Sequence, residues 1–296
     1  MKQLAIIGPT ASGKSDLALQ IAEKHNAYIL SIDSLSIYKE IDIASAKPSH
    51  EELLHVKHFG INEITPNESF SVEIFIDIYK NAKRIAQDTH KNLVIVGGST
   101  FYLKSLLQGL SEIPKISEEV KAEVNRMLLH VSDCHALLHN IDNEYMKNID
   151  SNDRYRIEKM LLIYKASGLS PSEWFASHPP KPVIENLDIY NIDVSREILR
   201  KRIDKRSKKM VQMGIIDEVT FLEHKYTREP NSMKSIGILE VLEYLDGYVS
   251  KEKMLENIST HTAQLAKRQQ TFNRTQFKDI ISAPLEELEI IINSKF

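Results

Sequence analysis

The feature that most limits what this chain can fold into lies near its start. Leu4–Ile7 is a short β-rich run that stops at Gly8, the pattern of a buried parallel strand. It leads into Gly8-Pro9-Thr10-Ala11-Ser12-Gly13-Lys14-Ser15, which fits G-x-x-x-x-G-K-[ST]. A helix is expected from near Gly13, with Leu17, Ile21 and Ala22 on one face. Strand, glycine loop and helix in that order give the motif its meaning. The glycines let backbone N–H groups turn inward around a phosphate, and the helix N-terminus adds a positive dipole end. Lys14 adds a mobile charge, and Ser15 can ligate Mg²⁺. The chain is therefore expected to bind a di- or triphosphate. The motif alone leaves open which one, and what is done with it.

Further strands are expected at Ala27–Ile32, ending at Asp33, at Leu93–Val96, ending at Gly97-Gly98, and at Leu187–Val194. Strands alternating with helical stretches indicate an α/β fold, a P-loop NTPase-like parallel sheet flanked by helices, with ligands at the carboxyl ends of the strands. Between about residues 114 and 184 the pattern changes to helices and loops: Ser117–Leu129, His135–Asn140 and Asp153–Ala166, closed by His178-Pro179-Pro180-Lys181-Pro182. This reads as a helical insertion, 114–184, in a core made of 1–113 and 185–296. Helices are expected again at Glu197–Met213, Ile215–His224, Ile236–Leu245 and Lys253–Arg274.

A P-loop hydrolase usually ends another strand with an Asp that supports Mg²⁺. Here Leu93–Val96 runs into Gly97-Gly98-Ser99-Thr100 with no acid, and the strand-terminal acid is Asp33. In a doubly wound sheet that carboxylate lies on the same edge as the P-loop. There it suits a general base acting on an acceptor poised near the phosphates.

Composition narrows the class. The 296 residues are 42% hydrophobic and 27% charged, with a net charge of −3, which excludes a disordered tail protein. Any nucleic-acid surface has to be a local basic patch. Cys134 is the single cysteine, so no internal disulfide forms, as suits a reducing cytosol. The opening MKQLAIIGPT has too short an apolar run for a signal peptide. No run approaches the ~18 residues that span a bilayer. A cytoplasmic protein, off the membrane and monomeric, is expected. His55 and His58 lack further ligands nearby for zinc. Cys134 has only sequence neighbours as partners, and Trp174 with Phe175 is expected to anchor the insertion's core.

The run Asp33-Ser34-Leu35-Ser36-Ile37-Tyr38-Lys39-Glu40-Ile41-Asp42-Ile43-Ala44-Ser45-Ala46-Lys47-Pro48 goes beyond a generic P-loop. Together with Gly8–Ser15 it resembles the tRNA dimethylallyltransferase (isopentenyltransferase) family, whose pattern is approximately D-S-x-Q-x-Y-x-x-x-D-I-G-T-A-K-P. Later matches keep the family's order: His58 with Phe70–Phe75, Val96-Gly97-Gly98-Ser99-Thr100-Phe101-Tyr102, and Asn152-Asp153-Arg154-Tyr155-Arg156. Arg202, Arg206 and Met210 before Gly214, then Gln264-Leu265-Ala266-Lys267-Arg268-Gln269, complete a resemblance running from about residue 4 to about residue 275. Departures fall at Ser36 (commonly Gln), Ala44-Ser45 (Gly-Thr), Ser99 (Thr), Thr100 (Gly), Lys159 (Arg), Ile238 (Tyr) and Ala263 (Arg). None touches the P-loop, Asp33 or Arg206.

The resemblance implies dimethylallyl pyrophosphate as donor and, as acceptor, N6 of the adenosine on the 3′ side of the anticodon of tRNA (adenosine 37). It implies Gly8 to Ser15 as the pyrophosphate cradle, with Mg²⁺ on Ser15 and Arg206 gripping phosphate oxygens. Asp33 is then the general base and Ser99 a positioning hydroxyl. Ser34, Tyr38, Lys47, Arg156, Lys267 and Arg268 become the RNA contacts. The acceptor base has to leave the loop stack to reach such a pocket. Most of the basic stretch Arg196–Lys209 reads as a solvated helix face.

A small-molecule kinase using ATP shares the P-loop and strand-end Asp, but has no use for Asp33–Pro48 or Gln264–Gln269. Prenylation of free adenine nucleotides is a second alternative, and a non-catalytic RNA-binding protein with a vestigial P-loop a third. The intact Lys14, Ser15 and Asp33 speak against the last.

Overall fold

The computed structural model describes all 296 residues. Six strands, β1 (Gln3–Ile7), β2 (Ala27–Ser31), β3 (His58–Phe59), β4 (Asn92–Gly97), β5 (Asp188–Ile192) and β6 (Ile280–Ala283), form one sheet. Their order is β3-β2-β4-β1-β5-β6, and every neighbouring pair is parallel. Leu4 to Ile7 are at most 1% exposed. Each such aliphatic side chain contributes about 1.5–3 kcal/mol by leaving water, so the run cannot be an edge strand.

The strand order puts three carboxyl ends side by side. Ile7 pairs with Gly97, and Val96 with Ser31, so β1, β4 and β2 finish at nearly one level. The residues that follow, Gly8, Gly98 and Asp33, therefore emerge together. At ~4.8 Å per strand, the two outer ends of this trio lie roughly 10 Å apart, a gap that side chains can close.

The helix after β1 spans Lys14–Lys24 and buries Leu17, Ala18, Ile21 and Ala22. Gly13, the N-cap before it, has φ +95°, a conformation that favours glycine. A Cβ there would also lie 2.6 Å from Leu285 Cδ1. Two strands were not foreseen. β3 has two residues and exists only through its pairing with Ile29 and Leu30. β6 continues the sheet beside β5.

At the carboxyl edge a second core forms from Ile37, Tyr38 and Ile41 together with Met210, Ile215, Val219, Val241 and Ile258. It fastens the loop after β2 to the helices Arg196–Gln212, Ile215–Tyr226, Ile238–Leu245 and Lys251–Gln276. The Asp42, Ile43 and Ala44 N–H groups all donate to the Glu218 carboxylate, at 2.7–2.9 Å.

The chain divides into two compact units, residues 1–106 with 184–296, and residues 107–183. The smaller unit thus begins before the expected residue 114. It holds the helices Glu118–Met127, Val131–Ile141, Asn143–Met146, Arg154–Ser167 and Pro171–Ser177, closed around Val124, Leu128, Leu138, Ile157 and Leu161. Trp174 and Phe175 pack on that core. Cys134 is buried in it, and burial pushes its thiol pKa up, the opposite of what a nucleophile needs. No helix is long and apolar enough to cross a membrane.

Candidate active site

Asp33 stands just past the end of β2, in a turn of its own making. Its Oδ1 accepts the N–H groups of Leu35 (2.9 Å) and Ser36 (3.2 Å). Its Oδ2 has no hydrogen-bond partner in the protein. One oxygen anchors the side chain and the other stays open as a proton acceptor.

Two clefts meet at this carboxylate. Thr10, Lys14, Asp33, Ser45 and Arg206 line both. The first continues over Ser99 and Gln269 to an apolar wall of Leu35, Met210, Ile236, Ile258 and Leu265. The second continues over Ser15, Lys47 and His58. An apolar group and a polyanion can thus lie on either side of one junction.

The P-loop joins β1 to its helix as the motif requires. Ala11 takes φ +62°, a left-handed conformation costing a residue with a Cβ roughly 1–2 kcal/mol. Gly8 and Pro9 lead into the loop, Ser12 is fully buried, and Ser15 is exposed in the first helical turn. Lys14 is half-buried, its Nζ donating to Pro9 O at 3.2 Å. Burial lowers its pKa from the ordinary 10.5 to about 8; Asp33 pulls it up and Arg206 presses it further down.

Arg206 reaches the loop from the helix Arg196–Gln212, which begins at Ser195 with the Ser195 Oγ accepting from Ile198 N. Leu199, Ile203, Ser207 and Met210 form its buried face. Arg206 Nη1 donates to Thr10 Oγ1 at 3.2 Å. Burial lowers its pKa, against the favourable charge of Asp33. Arg202, one turn earlier, donates to Ser12 O at 3.0 Å. The basic stretch is therefore not wholly a solvated face: two of its arginines hold the P-loop. The i, i+4 spacing of Arg202 and Arg206 was the available signal.

Ser99 follows β4. Its Oγ accepts Ser34 N at 3.2 Å and donates to Ser34 Oγ at 3.1 Å. Ser34 is exposed beside it.

Tyr38 and Lys47 are placed otherwise than as free RNA contacts. Tyr38 is 6% exposed, within the second core. The Lys47 ammonium donates to Tyr38 O (2.7 Å), Asp42 Oδ1 (2.7 Å) and Asn62 Oδ1 (2.6 Å). All three of its protons are engaged within the protein, and its side chain is 4% exposed. Lys267 and Arg268 are exposed on the helix Lys251–Gln276; Lys267 borders a separate cleft with Arg274, Lys278 and Asp193. Arg156, in the smaller unit, is exposed and paired with Asp153 at 2.7 Å.

The same long helix carries contacts that sequence reasoning did not assign. Gln269 Oε1 accepts Thr10 N at 2.8 Å. Asn273, 1% exposed, accepts from Thr100 Oγ1 at 2.7 Å and donates to Asn191 Oδ1 at 3.1 Å. For Gln269 the signal was its place in the Gln264–Gln269 run; for Asn273 it was a polar group on the buried face of an otherwise charged helix.

For Mg²⁺, the protein's donor set is the Ser15 hydroxyl, in the same cleft as Lys14 and Arg206. No group of three or more His, Cys, Asp or Glu side chains could hold a metal. That set fits Mg²⁺, which keeps waters and binds through few protein ligands plus substrate phosphates.

Comparison with known proteins gives a consistent result. The profile of the family described as IPP transferase matches residues 36–276. A tRNA dimethylallyltransferase of Sulfurimonas denitrificans is 63% identical over 294 residues, covering 99% of each chain. Among solved structures, the tRNA isopentenylpyrophosphate transferase of Bacillus halodurans aligns with TM-score 0.72 and 29% identity, over 99% of this chain and 96% of that one. A eukaryotic dimethylallyltransferase acting on tRNA shares the fold with TM-score 0.82 at 24% identity, over 96% of this chain and 74% of that one.

Proposed function

The chain belongs to the IPP transferase family, and from that premise we propose that it transfers a dimethylallyl group from dimethylallyl pyrophosphate to N6 of adenosine 37 in tRNA, releasing pyrophosphate. The observation that carries the chemistry is the open Oδ2 of Asp33, at the junction of a cationic cleft and a partly apolar one.

The adenine amine is a weak nucleophile, because its lone pair is delocalised into the ring. As that pair forms the bond to the allylic carbon, Asp33 Oδ2 takes the amine proton. The carbon–oxygen bond of the donor breaks and its electrons leave with the diphosphate. Lys14, Arg206 and the loop N–H groups hold that diphosphate and its developing charge. Arg206 suits the task because its fork grips two oxygens at once. Mg²⁺, when bound at Ser15, supplies further positive charge to the diphosphate. The apolar wall of Met210, Ile258 and Leu265 accommodates the isoprenoid tail and keeps water from the allylic cation character that develops. Ser99, tied to Ser34, holds the segment after β4 to the one after β2, beside Asp33. RNA is gripped by the exposed cations Lys267, Arg268 and Arg274 and by Arg156 of the smaller unit. One chain supplies Lys14, Asp33, Ser99 and Arg206, so a monomer suffices for the reaction, which we place in the cytoplasm.

The test is incubation of the chain with dimethylallyl pyrophosphate, Mg²⁺ and unmodified tRNA, followed by mass spectrometry of the nucleosides. An adenosine bearing one added isoprenoid unit is the expected product. Prenylated AMP with untouched tRNA would instead indicate a nucleotide prenyltransferase, and phosphate transfer from labelled ATP a kinase.

A further inference from the structure

We propose that Gln269 is a positioning residue for the transfer step, holding Thr10, and through Thr10 the Arg206 guanidinium, at the junction of the two clefts. Thr10 lines both clefts and is fastened from two helices. Its N–H donates to Gln269 Oε1 at 2.8 Å, and its hydroxyl accepts from Arg206 Nη1 at 3.2 Å. Residue 10 precedes Ala11, whose left-handed backbone the loop must hold in place. Without the contact from Gln269, the segment just before that strained residue loses one of its two external ties.

The other end of the same carboxamide explains a glycine. A Cβ at Gly98 would lie 2.4 Å from Gln269 Nε2, 3.1 Å from its Cδ and 3.5 Å from its Oε1, and these are the three nearest heavy atoms. Gly98 does not take a positive φ. A side chain at residue 98 would push the Gln269 amide, which passes over the turn after β4, off its place, and backbone freedom has no part in this. One helical turn onward, Asn273 is bonded to Thr100 and Asn191, which fixes the register of the helix over the sheet ends. Gln269 thus spans the P-loop and the Gly98–Ser99 turn, the two elements that face Asp33 from β1 and β4.

The readout of turnover rests on the prenyl-transfer reading above; a second readout does not. Gly98→Ala, Gln269→Ala and the double variant are assayed for tRNA prenylation. Each single change lowers kcat roughly tenfold or more, as sub-ångström misplacement near reacting groups does, with donor KM within about twofold of the starting protein. In the double variant kcat stays within about twofold of Gln269→Ala alone, because the shortened side chain leaves room for the new methyl. On the same proteins without substrate, amide exchange of the Thr10 segment quickens in both single variants, and Gln269→Glu, which keeps an oxygen for the Thr10 N–H, restores protection. A Gly98→Ala penalty of equal size in the Gln269→Ala background overturns the proposal, as does a loss confined to KM. So does unaltered exchange at Thr10, whatever reaction the chain catalyses. Absence of prenylation by the unaltered protein counts against the proposed function instead, and leaves the exchange result to decide this inference.

Discussion

Replacing Lys14 by Met should make the folded protein more stable and at the same time disable it. The ammonium is lowered from 10.5 to about 8, chiefly by burial. At roughly 1.4 kcal/mol per pH unit, burying that charge opposes folding by about 3 kcal/mol. The unfolded chain keeps this proton up to about pH 10.5, the folded chain only to about pH 8. Between those values the unfolded state binds more protons, so stability rises with pH across that window. Below pH 8 the whole penalty is present; above 10.5 it is gone. Lys14→Met should therefore gain up to about 3 kcal/mol at pH 7, less the contribution of the bond to Pro9 O, and the gain should shrink steadily toward pH 10. Urea unfolding at pH 7 and pH 9.5, followed by far-UV circular dichroism, measures the difference. Titration calorimetry with pyrophosphate should show binding lost in the variant and weakening above about pH 8 in the unaltered protein. A variant no more stable at pH 7, or a difference that ignores pH, would refute the view that burial of the charge is what lowers Lys14.

Asp33→Asn keeps an oxygen for the Leu35 and Ser36 N–H groups while removing the base, so kcat should fall roughly 10²–10⁴-fold with the fold and donor binding retained. Because Asp33 also raises Lys14, the alkaline limb of pyrophosphate binding should move to lower pH in that variant. Thr100→Val leaves the buried Asn273 Oδ1 without its donor and should cost about 1–3 kcal/mol in urea unfolding. Lys47→Met removes three hydrogen bonds to the loop after β2 and should lower stability by a few kcal/mol, about 1.5–3 for each charged bond at most. If tRNA affinity falls in Lys47→Met while stability is unchanged, the loop-holding role assigned to Lys47 is wrong.

The local features of this chain were legible because they depend on neighbours in sequence. The strand–glycine loop–helix at residues 3–24, the strand ending at Asp33 and the acid-free end of β4 follow from short-range sterics and hydrophobic runs, and each appears at its expected place. What only the tertiary structure decided is which side chains those ends meet. The order β2-β4-β1 sets Asp33 across from the P-loop, and no periodicity records strand order. Lys47 carries a charge that suits RNA equally well from sequence; three acceptors within hydrogen-bonding distance turn it inward. Arg202 and Gln269 stand in runs that match the family pattern, but only the packing of two helices on the sheet edge shows that they hold the loop. A two-residue strand such as β3 has no pattern of its own, because its hydrogen bonds all belong to a partner about thirty residues away. Sequence fixes what a segment prefers; long-range contact fixes what its side chains touch, and chemistry here depends on the second.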